Sequence, residues 1–476
     1  MATPTPINAL PATTSTQSGC TVQISAKGPQ NIWEDAKAVF TLWREVIRRH
    51  TTYAVGYNVA TFQSSTQWGT KLTADIPIDG DLIWKTWLVM GVSAIQFVNN
   101  VRPPAEGAPP LTPVFSAYFP RLCPITSSYL TEFKISGQRI DFYDYLTEAM
   151  WYDATELVGQ SYGPLMNDYK STSDLIRAAT QDQVWYKPLH NFTEYPQTAY
   201  PHIVARGHYP KYEITLQPKY NNIIICRYNN YAVETLYPSG LGVAAVNLPT
   251  NIADPLAFPP ATASNGWNTT TLAITPVQIQ GGDLVVANLL VSNVYLGDAE
   301  RIRFTQRVHR YLIDEWQIGN DDASTGNRSS VKSIINFNHV VTSIFCLCQT
   351  NNAASSRHFL DWSNGNAGVS PIFDISMTVN NLDRLLRSPF QFLSIALPNL
   401  HLHHPSRLLY AVIPFSLHID RYGPWGGINL SMIDTTNIVY DIVAGPNTAN
   451  GFTCVTRGRN KNVLTVSRRL TGKMWA

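Results

Sequence analysis

Charge is scarce in this sequence. Only 14% of the 476 residues are Asp, Glu, Lys or Arg, against roughly a quarter in ordinary soluble chains. Such a chain fills large cores and leaves little charge for its exterior. We read this as a surface partly buried in an assembly; a monomer coated in Asn, Ser and Thr is the alternative. Net charge is nearly absent too. Thirty-five basic and 33 acidic residues give +2, which excludes a general pull toward nucleic acid. The run "RGRNKNVLTVSRRLTGK" near the C-terminus is basic but carries no recognition motif, so it reads as a solvated or partner-facing tail.

Cysteine is also sparse. Cys20, Cys123, Cys226, Cys346, Cys348 and Cys454 are too dispersed for a disulfide scaffold or a paired zinc site. Cys346 and Cys348 sit two apart in a strand-like run, on one face, as small apolar residues. The opening residues hold no basic and apolar runs of a secretory leader, so the expectation is a chain kept in cytosol-like, reducing surroundings. The most apolar window, "DLIWKTWLVMGVSAIQFV", is β-rich and contains Asp81 and Lys85, which argues against a membrane span.

Catalytic motifs are missing as well: no GxSxG, HExxH, P-loop or GxGxxG pattern occurs. No cofactor is expected. "HLHHP" brings His401, His403 and His404 together, His401 and His403 on one strand face, but no acid or thiol nearby completes a tetrahedral metal site. Asp321 and Asp322 lie in a turn-rich loop. A glycosidase needs two carboxyls facing across a cleft, and a lectin-like or carbohydrate-active jelly roll stays open as an alternative. Four glycosylation sequons occur. Asn268 and Asn327 lie in loop-like runs and are the modification candidates; Asn191 and Asn429 lie in apolar runs expected to be buried.

What is present is strand texture. Residues 1–24 are small, polar and proline-containing and read as a flexible arm. Trp33, Ala36, Phe40, Trp43 and Ile47 then fall at helical spacing. From Thr51 onward short β-branched and aromatic runs alternate with turn residues. A Pro-, Gly-, Asn- and Thr-rich stretch over 236–280 divides two such blocks, which predicts two sandwiches or barrels in tandem. One segment differs: "NVYLGDAERIRFTQRVHRYLIDEW" carries four acids and four arginines between Asp298 and Glu315. Phe304, Val308, Tyr311 and Leu312 match one helical face, and Asp298–Arg301 and Glu300–Arg303 match i, i+3 pairing. The expectation is a self-neutralising helix N-capped by Asp298.

This segment resembles the strand-then-helix signature of the double jelly-roll major capsid proteins of nucleocytoplasmic large DNA viruses, at Tyr295, Leu296, Glu300, Arg301, Phe304, Tyr311, Leu312 and Ile313. Further runs are similar in the same order: Gly80, Asp81, Leu82 and Ile83; Gly137, Gln138, Ile140 and Asp141; Asn338 and His339 in "INFNHVV"; "MTVNNLDR"; and Asn429, Ser431 and Asp434 in "GINLSMID". Gly297, Val340 and Met432 depart from the pattern, as expected of a divergent member. The resemblance implies an all-β chain of two eight-stranded jelly rolls with a few short helices, at 25–235 and 281–476, joined by 236–280. It implies a non-enzymatic homotrimer of pseudo-hexagonal outline tiling an icosahedral shell. Its partners would be neighbouring capsomers, minor capsid or cement proteins and an inner membrane reached by the N-terminal arm, without direct nucleic-acid binding. The helix after Leu296 would cap the second roll.

Overall fold

The computed structural model describes residues 50–98, 115–156, 163–228, 278–324, 329–351, 359–364 and 368–475, less scattered positions within them. The expected arm, the helix from Trp33 to Ile47, most of the 236–280 stretch, Asn268, Asn327 and His403 lie outside the described residues.

Eight strands of the unit Tyr53–Ala476 build a first roll. They are β1 (Tyr53–Thr61), β2 (Lys71–Asp75), β3 (Leu82–Val92), β4 (Ser128–Ile135), β5 (Gln138–Asp144), β6 (Gln183–Pro188), β7 (Pro210–Leu216) and β8 (Leu284–Leu296). One sheet has the order β1-β8-β3-β6 and the other β2-β7-β4-β5, all antiparallel. The second roll repeats this plan with β9 (His309–Ile318), β10 (Ser330–Ile334), β11 (Val340–Thr350), β12 (Ile372–Val379), β13 (Leu382–Pro389), β14 (Ala411–Pro414), β15 (Thr436–Ile442) and β16 (Phe452–Val466). Its sheets run β9-β16-β11-β14 and β10-β15-β12-β13. The two rolls are therefore the same jelly roll used twice.

The boundary differs from the expected one. β1 pairs along its whole length with β8, from Tyr53↔Leu296 to Thr61↔Asn288, and β8 pairs with β3 on its other side. β8 closes the first roll. The Pro- and Gly-rich stretch thus connects β7 to β8 inside the first roll, and the division falls after Leu296.

Alternation sets the inner faces. β7 and β15 bury every second residue, among them Tyr212, Ile214 and Leu216 in the first and Ile438, Tyr440 and Ile442 in the second. The hairpins β4–β5 and β12–β13 each turn on two residues with positive φ, Ser136 (51°) and Gly137 (81°), then Asn380 (48°) and Asn381 (62°). That is the backbone a two-residue hairpin requires for the strand twist to continue. Equivalent positions of the two rolls thus carry the same turn.

β11 departs from alternation, with all residues from Val341 to Thr350 buried. Ile344, Cys346 and Cys348 enter the core of the second roll. Phe345 and Leu347 face a separate core between the rolls, with Leu146, Met150 and Trp151 of helix α1 (Tyr145–Thr155), Trp316 of β9 and Val455 of β16. A strand covered on both faces reads as a continuous apolar run.

Helix α2 (Asp298–Gln306) joins the rolls but is shorter than expected. Arg307 is extended (φ −113°, ψ 152°), and Tyr311 and Leu312 belong to β9. Val308 is exposed. Gly297 occupies the N-cap, and Asp298 stands in the first turn, where a carboxylate favours the helix dipole.

Candidate functional site at the seam between the rolls

The basic run near the C-terminus belongs to a central strand, β16, from Arg457 to Val466, and that part of it is not a tail. Its alternation R-G-R-N-K puts Arg457, Arg459 and Lys461 on the face that meets the first roll, with Gly458 and Asn460 opposite. Arg457 and Arg459 are 1% and 4% exposed.

Each cation meets an acid. The Arg457 guanidinium donates to Asp144 at the end of β5 (Nη2–Oδ2 2.6 Å) and to Asp321 (Nη1–Oδ1 2.6 Å). Asp144 also caps α1, accepting from the Thr147 amide at 2.9 Å. Burial pushes the Asp144 carboxyl up, but Arg457 and Thr147 outweigh it and hold the group below its usual value. Asp314 of β9 lies directly across from Lys461 and binds it at 2.6 Å, with Arg459 at 3.2 Å. Arg459 stacks over the Trp151 ring, 3.6 Å from its centroid. Trp151 in turn meets Trp316 edge-on at 5.6 Å. A second clamp lies nearby: Arg407 reaches Asp153 of α1 at 3.0 Å and Glu156 at 2.7 Å.

Asp141 sits at the centre. Its Oδ1 accepts from the amides of Phe142 and of Trp316 in the other roll, both at 2.9 Å. Burial pushes its carboxyl up to about 7, partly opposed by the Trp316 amide and reinforced by Glu315. It borders a small polar cavity with His190, Glu194, Asp314 and Arg459. His190 and Glu194 lie 3.4 Å apart. Burial raises Glu194, and His190 and Arg459 more than offset it, keeping the carboxylate below its ordinary range. Outside the seam, Lys187 and Glu148 form a wholly enclosed pair at 2.7 Å in which burial drives the lysine down and the acid up.

The signature residues fall into three constellations. Asp81 accepts from Arg301 of α2 at 2.9 and 3.1 Å and from the Leu296 amide at 2.8 Å. The helix therefore ties to the first roll instead of capping the second. Gly80 is required sterically, since a Cβ there would stand 2.7 Å from Asn293 Cβ. Arg301 also lies 3.9 Å from Asp298, and Glu300 stands in the first turn of α2. No residue of α2 is fully buried; Phe304 is partly buried and stacks on His309 at 4.8 Å, which stacks on Tyr311 at 6.0 Å. Gln138 lies beside the C-terminal strand, where its Oε1 accepts from the Lys473 amide at 3.3 Å, while Gly137 forms its hairpin.

The third constellation fixes the entry to β11. Asn338 exchanges hydrogen bonds with Gln317 at 2.7 and 2.8 Å. His339 has φ 64°, and its amide donates to Ser431 Oγ at 2.7 Å. Asn429 Oδ1 accepts from the Ser431 amide, and the Asp434 amide donates to Asn380 Oδ1, both at 3.1 Å. Asn429 is exposed, against expectation, whereas Asn191 is buried and caps a short helical turn. The expected strand face for the histidines is absent: His401 ends a short helix, and His404 is buried and lies 3.3 Å from Arg407. Among the described residues no group of three or more His, Cys, Asp or Glu is arranged to hold a metal, and no helix is long and apolar enough to cross a membrane. Asp314 and Glu315, counted above with the helix, are strand residues facing Lys461 and Lys473.

The exterior carries apolar groups at strand spacing. Tyr53, Val55, Tyr57 and Val59 project from β1, an edge strand, and Leu382 and Leu386 from β13, also at an edge. Such patches mark association surfaces.

Residues 300–469 match the family model described as large eukaryotic DNA virus major capsid protein. The major capsid protein of Chrysochromulina ericina virus is 24% identical over 357 residues, 67% of this chain and 56% of that relative, so the match spans about half the relative's length. That of Pyramimonas orientalis virus is 22% identical over 485 residues, covering 95% of this chain and 98% of the relative. Among solved structures, PBCV-1 VP54 superposes with a TM-score of 0.66 at 17% identity, over 92% of this chain and 100% of that one. The Faustovirus major capsid protein does so with 0.63 at 10% identity, over 95% and 97%. At these identities the structural likeness establishes the fold, a double jelly roll.

Proposed function

We propose that this chain, a divergent member of the major capsid proteins of large eukaryotic DNA viruses, is the structural subunit of its virion's shell. The observation that carries this is the repeated strand order within one chain. Two like rolls held side by side give a subunit with two similar corners, so three copies around an axis make a six-cornered block that tiles a flat facet. Closed threefold symmetry needs head-to-tail contacts that return after three steps, and permanent contacts of that kind are large and apolar. The aromatic and aliphatic rows on β1 and β13 are suited to such contacts. The seam supports the same reading, because it fixes one roll against the other without using the exterior.

Minor capsid proteins and an inner membrane are the partners we assign to the N-terminal arm, and loops such as 236–280 to the outer surface. Sizing and negative-stain imaging of the purified chain test the assembly: hexagonal particles of three times 53.1 kDa are expected, and a stable monomer at micromolar concentration would overturn it. Limited proteolysis of intact particles tests the placement. Cuts within 236–280 and none near residue 10 are expected; the reverse pattern contradicts it.

A further inference from the structure

The second roll contains three thiols that neither the seam nor the shell reading uses. Cys346, Cys348 and Cys454 are free, and all three are buried in one core. Cys348 of β11 and Cys454 of β16 stand directly opposite each other in the antiparallel register. Their side chains enter the same core from adjacent strands. Directly opposed antiparallel residues have Cα atoms about 4.5–5.5 Å apart, inside the span of about 4.4–6.8 Å that a disulfide bridges. Cys346 pairs with Thr456 and is diagonal to Cys454, at about 7–8 Å, which a disulfide does not reach.

We propose that Cys348 and Cys454 are a disulfide-forming site, closed by a small-molecule disulfide oxidant while the second roll is still open. One of the pair, as thiolate, attacks a sulfur of glutathione disulfide and displaces one glutathione thiol. The other thiolate then attacks the protein sulfur of that mixed disulfide and displaces the second. Two protein thiols are oxidised, the glutathione disulfide is reduced to two thiols, and the two protons pass to them. The packed roll resists the same step: Cys454 is fully covered, and its thiol is held protonated by the adjacent Cys348 and by burial. The pair thus records the redox conditions met during folding. Once closed, it staples β11 to β16 across a loop of roughly 100 residues, which constrains the unfolded chain strongly.

The test refolds the full chain with and without a glutathione redox couple, then maps unreduced peptides by mass spectrometry. A Cys348–Cys454 linked peptide is expected with the couple, together with a melting temperature several degrees above that of the reduced chain. The link should persist in Cys346→Ala and vanish in Cys454→Ala. Folded, reduced chain given the same couple briefly should stay unlinked. Alkylation of all six thiols after oxidative refolding, a link through Cys346 instead, or immediate linking of the folded chain would each overturn the proposal; mapping the parent chain decides the matter even where Cys454→Ala does not fold.

Discussion

Replacing Arg457 by methionine isolates the energetics of the seam. The guanidinium is 1% exposed and lies 2.6 Å from both Asp144 and Asp321. Methionine keeps the apolar stem and removes the charge, leaving Asp144, only 15% exposed, without its cation. Breaking a buried pair in this way costs about 3–5 kcal/mol. Asp321 is 44% exposed and recovers hydration, so only the Asp144 half carries the full penalty; the expected loss is about 3 kcal/mol. Asp144→Asn retains the helix cap, because asparagine accepts the Thr147 amide as well as aspartate does, and removes the stranded charge. The double variant should therefore be more stable than Arg457→Met alone by about 1–2 kcal/mol. The pH dependence has a definite sign. Asp144 is held below its ordinary value, so its contribution is present above that value and is lost as pH falls through the depressed one. Without Arg457 this acid-side loss disappears, and the two proteins converge at low pH. Urea unfolding followed by tryptophan fluorescence reads the seam directly, since Trp151 and Trp316 stack there. An Arg457→Met stability within about 0.5 kcal/mol of the parent would refute the reasoning, as would a double variant weaker than both singles.

Asp141 predicts the opposite pH trend. Its carboxyl is raised to about 7, so from its ordinary value near 3.8 up to about 7 the folded state holds a proton that the unfolded chain releases, and this contribution to stability falls as pH rises through that window. In Asp141→Asn the Oδ1 keeps both amide donors and the amide nitrogen replaces the protonated oxygen. The stability difference between variant and parent should grow in the variant's favour by about 3 kcal/mol from pH 5 to pH 8 in urea titrations; a pH-independent difference would contradict the assignment. Phe304→Ala tests α2: a partly buried ring stacked on one histidine should cost about 1–2 kcal/mol, less than the 3–5 of an enclosed aromatic. An unchanged melting temperature would show that the Phe304–His309–Tyr311 stack does not stabilise the joint.

Local chemistry was legible in the sequence and distant pairing was not. Period-two alternation and turn residues identified two β blocks, and Cys346 and Cys348 stand on one core face as their spacing required. The boundary was misplaced because a jelly roll closes by returning its last strand to its first. A long irregular connection before that strand looks the same in one dimension as a linker between domains. The helix was overextended because Phe304, Tyr311 and Leu312 satisfy a helical face as readily as the end of a helix followed by a strand; the β-branched and aromatic run after Arg307 was the available signal. Arg457, Arg459 and Lys461 were missed as seam residues since their alternation was visible but their counter-charges were not. Arg457 and Asp144 are 313 positions apart, and Arg301 and Asp81 220.

The location of these charges changes what the scarcity of charge means. It was first read as a surface hidden by neighbouring subunits. Part of the small charged complement lies inside the chain, in pairs that cross from one roll to the other, Arg457 with Asp144 and Arg407 with Asp153, and in the pairs of Asp314 with Arg459 and Lys461 beside them. Apolar contacts such as Trp151 on Trp316 tolerate sliding at modest cost, whereas sliding β16 by one residue along α1 would strand buried ions on both sides. A flat facet needs subunits whose two corners keep one angle, and errors in that angle would accumulate across it. In the proposed shell, ion pairs at the seam would select that angle, and the apolar rows left outside on β1 and β13 would serve contacts between subunits.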